Sequence, residues 1–249
     1  MRIDINQLAY IMTTLIKNKI ADNLNYFHFY TGMRMDTIPE KERSELETNA
    51  KTINVPRKSI LYTEGEVPKG VYFLLSGKVK VSQLNVDGTV QIFFIYSSGD
   101  IFGHRPILCN GKHPVTAVAL EDSQVLYIEK DHFMSVVENS QRLSTLFLQS
   151  VSHEYTVLVN RINIFAQRSI KERLAYFLLV LNDKYRLPGQ LNDEAEIKVN
   201  RSDLASYTGT SLENLVRTLK EFKNKNFIRT DGKSIYINDF ESLYTLTGV

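Results

Sequence analysis

The chain has 249 residues, 43% of them hydrophobic and 23% charged, which suits two modest folded domains and excludes a disordered chain. Cys109 is its only cysteine, which excludes an intrachain disulfide and an all-cysteine iron–sulfur or zinc site. The net charge of +2 hides an asymmetry: residues 1–160 carry 16 Lys/Arg and 17 Asp/Glu, whereas residues 161–234 carry 14 against 9. Positive charge therefore gathers where a phosphate backbone would be drawn, although a merely solvated basic surface would look the same.

The N-terminal stretch "MRIDINQLAYIMTTLIKNKI" has apolar residues at about helical spacing, and "PEKERSELETNA" is a second, strongly charged helical segment. The first carries Asp4 and lacks a small-residue cleavage site, and no run of about 18 uncharged apolar residues occurs in the chain, so the expectation is a cytoplasmic protein with no membrane partner. Between Ile53 and Ile128 the texture changes to short β-rich runs, "KSILYTEGE", "GVYFLLSGKVKVSQL", "DGTVQIFFIY", "SSGDIFG" and "SQVLYIE". Many short strands with glycine turns at this spacing predict a sandwich or barrel, with a hairpin at Asp87-Gly88.

From Glu138 to Phe165 the pattern is helical, with Leu148, Val151, Tyr155, Leu158, Ile162 and Phe165 spaced 3, 4, 3, 4, 3. That seam predicts a two-fold dimer through this helix, with a helix lying on its own barrel as the alternative. Ser169 and Glu172 form a capping-box pattern that opens a new helix, so the chain is expected to bend near Ala166 to Arg168. A polar loop over 184–196 and a short strand "EIKV" follow.

The stretch "NRSDLASYTGTSLENLVRTLKEF" then predicts two short helices around Gly209, the first capped by Asn200 and the second by Thr210 paired with Glu213. Small Ala205 allows close approach, Gly209 permits the sharp turn, and Leu204, Leu215 and Leu219 point to a shared core. With "FIRTDGKSIYI" as a β-hairpin behind it, this is a winged helix-turn-helix. In such a motif the start of the second helix enters the major groove, which makes Ser211, Leu212, Glu213, Asn214 and Arg217 candidates for base edges. Arg217 could fork onto guanine and Glu213 accept from cytosine, unless Glu213 serves only the cap and Arg217 is a solvated helix residue. Arg201, Ser202, Thr210, Lys220 and Lys233 are candidates for phosphate, which fixes affinity and register but carries no sequence information. His153-Glu154 lies on the dimer helix without a pocket, and no phosphate-cradling loop or metal-spaced histidine pair is present, so no enzyme activity, catalytic residue or metal site is assigned.

The order of these parts, with "EGE" at 64–66, "GVYFLLSGKVKV" at 70–81, "GDIFG" at 99–103 and the helix-turn-helix, resembles the cyclic-AMP receptor protein and fumarate-nitrate regulator (Crp-Fnr) family of bacterial transcription factors over roughly residues 35–240. The resemblance implies an α+β fold: an N-terminal cyclic-nucleotide-binding-like β-barrel of jelly-roll type, a long dimerisation helix and a C-terminal winged helix-turn-helix. The expected boundaries are 1–137 for the N-terminal helices and barrel sensor, 138–165 for the dimer helix and 166–249 for the DNA-binding domain. The implied partners are double-stranded DNA and a second copy of the chain, with RNA polymerase as a further candidate.

The family's recognition helix commonly carries a Glu and an Arg four residues apart that read a TGA-type half-site, and Glu213 and Arg217 match. Leu212 stands where the cyclic-AMP receptor has an additional Arg, which implies an altered base preference. The nucleotide cassette transfers poorly. His104 in "GHRP" replaces the ribose-binding Glu, His113 and Pro114 in "KHPVTA" replace the phosphate-binding Arg-Ser pair, and Leu158 and Val159 replace hydroxyl residues near the purine. The expectation is thus against cyclic AMP and, with a single cysteine, against Fnr-type oxygen sensing. Gly103, His104, Arg105, His113 and Thr116 are the candidate pocket for another small effector; the alternative is that "GHRP" closes the barrel over a collapsed pocket. A function of a different class also stays open: a small-ligand module whose helical C-terminal domain docks a protein and never touches DNA.

Overall fold

The computed structural model describes residues 33–186 and 195–248. The expected N-terminal helix and positions 187–194 of the expected loop lie outside them. A charged helix α1 (Glu40–Glu47) leads into eight strands: β1 (Lys51–Val55), β2 (Ile60–Tyr62), β3 (Gly70–Ser76), β4 (Val79–Leu84), β5 (Val90–Tyr96), β6 (Ile101–Phe102), β7 (Thr116–Ala119) and β8 (Ser123–Glu129). They form two four-stranded antiparallel sheets, in the orders β1-β8-β3-β6 and β2-β7-β4-β5. Alternation along β3 explains why both of its faces are apolar: Val71 and Phe73 pack outward toward the helices, while Tyr72 and Leu74 point between the sheets. The β4–β5 hairpin turns where Asp87-Gly88 predicts. Gly88 adopts φ +81° and its N–H bonds Asn85 O at 2.9 Å, closing a turn that needs a left-handed residue.

A one-turn helix α2 (Arg105–Leu108) interrupts the barrel after β6, and α3 (Lys130–Asn139) follows β8. The expected helix over 138–165 needs correcting at its start. Ser140 breaks the helical path at φ −122°, ψ 104° and accepts from Leu143 N, so Glu138 and Asn139 end α3, and the long helix α4 runs Gln141–Gln167. The pattern alone hid the break because a serine cap needs only one residue, and the polar run from Glu138 to Arg142 is equally compatible with a continuous helix.

The bend falls where predicted, at Arg168, and α5 (Ile170–Tyr185) opens with the Ser169–Glu172 capping box. Residues Leu174 to Leu181 are buried without interruption, so α5 is the central post of the C-terminal core. Around it sit the three-stranded sheet of β9 (Ile197–Lys198), β10 (Ile228–Asp231) and β11 (Ser234–Ile237), the helices α6 (Arg201–Thr208) and α7 (Leu212–Asn224), and a last helix α8 (Phe240–Thr247) not foreseen from the sequence.

This core does not stop at the C-terminal domain. Ile92 and Ile95 of β5 are buried in it, Lys80 on β4 pairs with Asp203 on α6 at 2.5 Å, Gln91 donates to Ser206 O at 2.8 Å, and Lys184 on α5 pairs with Asp100 at 2.8 Å. The helix-turn-helix is thereby docked along the β4–β5 edge of the barrel. Arg161 of α4 stands at the junction. Its guanidinium donates to Phe93 O and lies 5.0 Å from the ring centroids of Phe94, Phe177 and Tyr207, one on the barrel, one on α5 and one on α6.

Candidate DNA-reading face and sensor site

The turn between α6 and α7 is fixed by one residue with two constraints. Gly209 has φ +67°, and a Cβ there would stand 2.7 Å from the Phe165 ring. Asn200 caps α6 as expected, accepting from Asp203 N at 2.7 Å. The cap of α7, however, is Ser211, which accepts from Asn214 N at 3.2 Å. Thr210 instead donates its N–H to Ala205 O, and the expected Thr210–Glu213 box does not form. That correction matters for chemistry, because a Glu213 carboxylate that is exposed and free of the cap is available to a partner.

Along α7, Leu215, Thr218, Leu219 and Phe222 turn inward, leaving Leu212, Glu213, Val216, Arg217 and Lys220 on the outer face. Arg217 is exposed and donates from Nη2 to Asn214 Oδ1 at 2.6 Å, a bond that engages one of its five N–H donors. Ser202, Lys220 and Lys233 are exposed. Arg201 is half-buried and donates to Lys233 O at 3.2 Å, fastening the start of α6 to the hairpin turn at Gly232–Lys233. A cavity of about 410 Å³ lies between the start of α5 (Ser169, Ile170, Lys171) and Arg217, Thr218 and Glu221 of α7, bridged by the Lys171–Glu221 pair at 2.8 Å.

The five candidate effector residues do not converge. Gly103 takes φ +82° beside Tyr72 and turns the chain into α2. His104 then faces away from the barrel interior, fully buried with its ring 5.5 Å from Phe147 of α4 and no partner on either nitrogen. Burial, followed by the charge of Arg105, holds its pKa well below the ordinary histidine value. Arg105 is drawn to Glu154 of α4 at 2.6 Å and to the Tyr96 hydroxyl at 2.9 Å. His113 lies on the other side of the sheet, stacked on Tyr62 at 3.8 Å, and Thr116 accepts from Glu64 N at 3.0 Å. Between the sheets, Tyr62, Tyr72, Tyr96 and Phe102 pack ring against ring, with centroids 5.2–6.3 Å apart. The geometry favours "GHRP" as a closure of the barrel onto α4.

Two opposite stripes run along α4. Leu143, Phe147, Ser150, Glu154, Val157, Arg161 and Ile164 are buried on the helix's own domains, whereas Leu148, Val151, Tyr155, Leu158 and Ile162 stand exposed, Tyr155 by 69%. Phe165 leaves the expected seam: it packs inward, 5.7 Å from Phe177 and against Gly209. Arg161 was missed because a lone arginine in a helix reads as solvated; its place four residues after Val157 and three before Ile164, on the face opposite the seam, was the available signal.

The profile of the cyclic nucleotide-binding domain matches residues 52–140, and that of the Crp-like helix-turn-helix domain matches residues 172–246; together they cover more than half of the chain. The chain belongs to the Crp-Fnr family of transcription regulators. This Crp-Fnr regulator is 28% identical over 208 residues to the regulatory protein HlyX of Actinobacillus pleuropneumoniae, covering 83% of this chain and 86% of the relative. It is 28% identical to the fumarate and nitrate reduction regulatory protein of Yersinia pestis, over 78% of this chain and 77% of that one. Among solved structures, FixK2 from Bradyrhizobium japonicum superposes with a TM-score of 0.70 over 79% of this chain and 96% of its own, at 22% identity, which speaks for the fold. The Crp-Fnr regulator is thus a DNA-binding transcription regulator. No helix among its described residues is long and apolar enough to cross a membrane.

Proposed function

We propose that the protein acts in the cytoplasm as a homodimer on palindromic operators, with two α7 helices in successive major grooves about 34 Å apart. The observation that supports this most is the bare stripe Leu148, Val151, Tyr155, Leu158 and Ile162, which lies opposite the stripe already occupied by the barrel. A second α4 in the two-fold relation would cover it with knobs-into-holes packing. Glu213 and Arg217 would read base edges, and Ser202, Lys220 and Lys233 would hold phosphates.

The barrel carries neither of the lost nucleotide handles, and its aromatic interior supports operation without cyclic AMP. Control would pass through the junction at Arg161, Lys80–Asp203 and Gln91–Ser206, where a change in the barrel would alter how α6 rests on β5 and with it the spacing of the two α7 helices.

Selection from random duplexes by the purified, unliganded protein is expected to recover a palindrome whose affinity falls steeply with salt. Ile162→Glu, placing a charge on the stripe, is expected to shift the protein to monomer in sedimentation and to weaken operator binding at least tenfold. A wild-type protein that sediments as a monomer while bound to a palindrome would sink the dimer assignment.

A further inference from the structure

We propose that Leu212 and Val216 of α7 read thymine through its 5-methyl group, so that operator choice rests on an apolar ridge beside the polar pair Glu213 and Arg217. This rests on the DNA-reading face assigned to α7 above. Among the described residues of the C-terminal domain, Leu212 and Val216 are the large apolar side chains that stand open, each 50% exposed, while Leu215, Leu219 and Phe222 of the same helix are buried. They are four residues apart and so form one ridge, which Lys220 continues; Glu213 and Arg217 form the ridge next to it.

A single exposed apolar residue on a surface needs no explanation, but two on successive turns, flanked by Arg217, Lys220 and Glu213, present methyl-sized contacts inside a charged frame of net positive sign. That combination suits a polyanion with apolar points, and an apolar protein groove would not match the charge. Duplex DNA offers such points in its major groove, where the C5-methyl is the one apolar feature of a base edge and distinguishes thymine from every other base. The dimensions agree: the four residues from Leu212 to Val216 advance about 6 Å along the helix, close to two base-pair steps at about 3.4 Å each. Neither side chain can make a hydrogen bond, so whatever discrimination they supply comes from covering that methyl.

The test uses the full-length protein and the operator it selects. Each thymine, together with its symmetry mate, is replaced in turn by deoxyuridine, which keeps every hydrogen-bonding atom and removes only the methyl. At one or two positions per half-site, affinity is expected to fall about fourfold for each methyl removed. Val216→Ala and Leu212→Ala should each bring the thymine-over-uracil ratio at one position toward unity while leaving thermal unfolding unchanged, since both side chains are exposed. Equal binding of thymine and uracil at every position would overturn the proposal, as would a preference that survives both substitutions. Failure of the wild-type protein to select any sequence would remove the groove assignment, and the proposal with it. An operator that is recovered but indifferent to uracil would remove the methyl reading alone.

Discussion

On α7, Arg217 is exposed on a helix whose inner face does the packing, and its tether among the described residues is the neutral amide of Asn214, three residues earlier, at 2.6 Å. On α2, Arg105 reaches inward to a buried carboxylate and a buried phenol, Glu154 and Tyr96. The first arginine is positioned for something outside the protein; the second holds the barrel to α4. A charged residue next to a glycine turn therefore says little about ligand binding until its partners are known. An exposed face can offer its chemistry without a pocket, whereas a buried charge that is satisfied internally has little left to offer a ligand.

That contrast can be broken at its buried end first. Glu154→Ala removes the carboxylate facing Arg105 and is expected to cost about 3 kcal/mol of stability, the lower part of the range for breaking buried pairs because Arg105 is one-third exposed. Denaturant titration at constant slope would measure it. A loss below about 1 kcal/mol would mean that α2 and α4 are not held together by this pair. The surviving folded fraction should still choose the same operator.

Arg217→Ala should behave oppositely. Stability stays within about 0.5 kcal/mol of wild type because the side chain is exposed. Discrimination at one base pair falls by about 1–3 kcal/mol, read as a relaxed position in repeated selection. Unchanged selectivity would place the reading face elsewhere.

The smallest effect is on pH. His104 has its folded pKa depressed below the ordinary 6.5 by burial, so the neutral form is the one that fits. Its contribution to stability is fully present above pH 6.5 and is lost as pH falls from there toward the folded pKa, with a slope of at most about 1.4 kcal/mol per pH unit for one proton. His104→Gln should flatten this part of the stability profile between pH 6.5 and 5. If the two profiles ran parallel, His104 would not be buried as a neutral ring at the α2–α4 contact. His113, also held low by burial, titrates in the same direction and is the background against which the difference is taken.

Much of the architecture was legible because it is encoded locally. Turns at Gly88, Gly209 and Gly232 need left-handed φ, caps at Asn200 and Ser169 need particular oxygens, and the periods of 2 and near 3.5 in β3 and α4 follow from backbone geometry alone. The shift of the α7 cap from Thr210 to Ser211 shows the limit of that local code, since two adjacent hydroxyls satisfy it equally.

The sequence by itself determined the order of the parts, the helix-turn-helix, and which residues of its second helix face outward. Only the tertiary structure decided that His104 and His113 lie on opposite sides of a sheet, that Phe165 and Arg161 join the inter-domain core, and that α6 rests on β5. The reason is physical. Helix periods, turns and caps are set by atoms a few residues apart, whereas the partner of a buried charge or ring is set by which elements meet, and that depends on contacts between residues up to 123 positions apart in the chain.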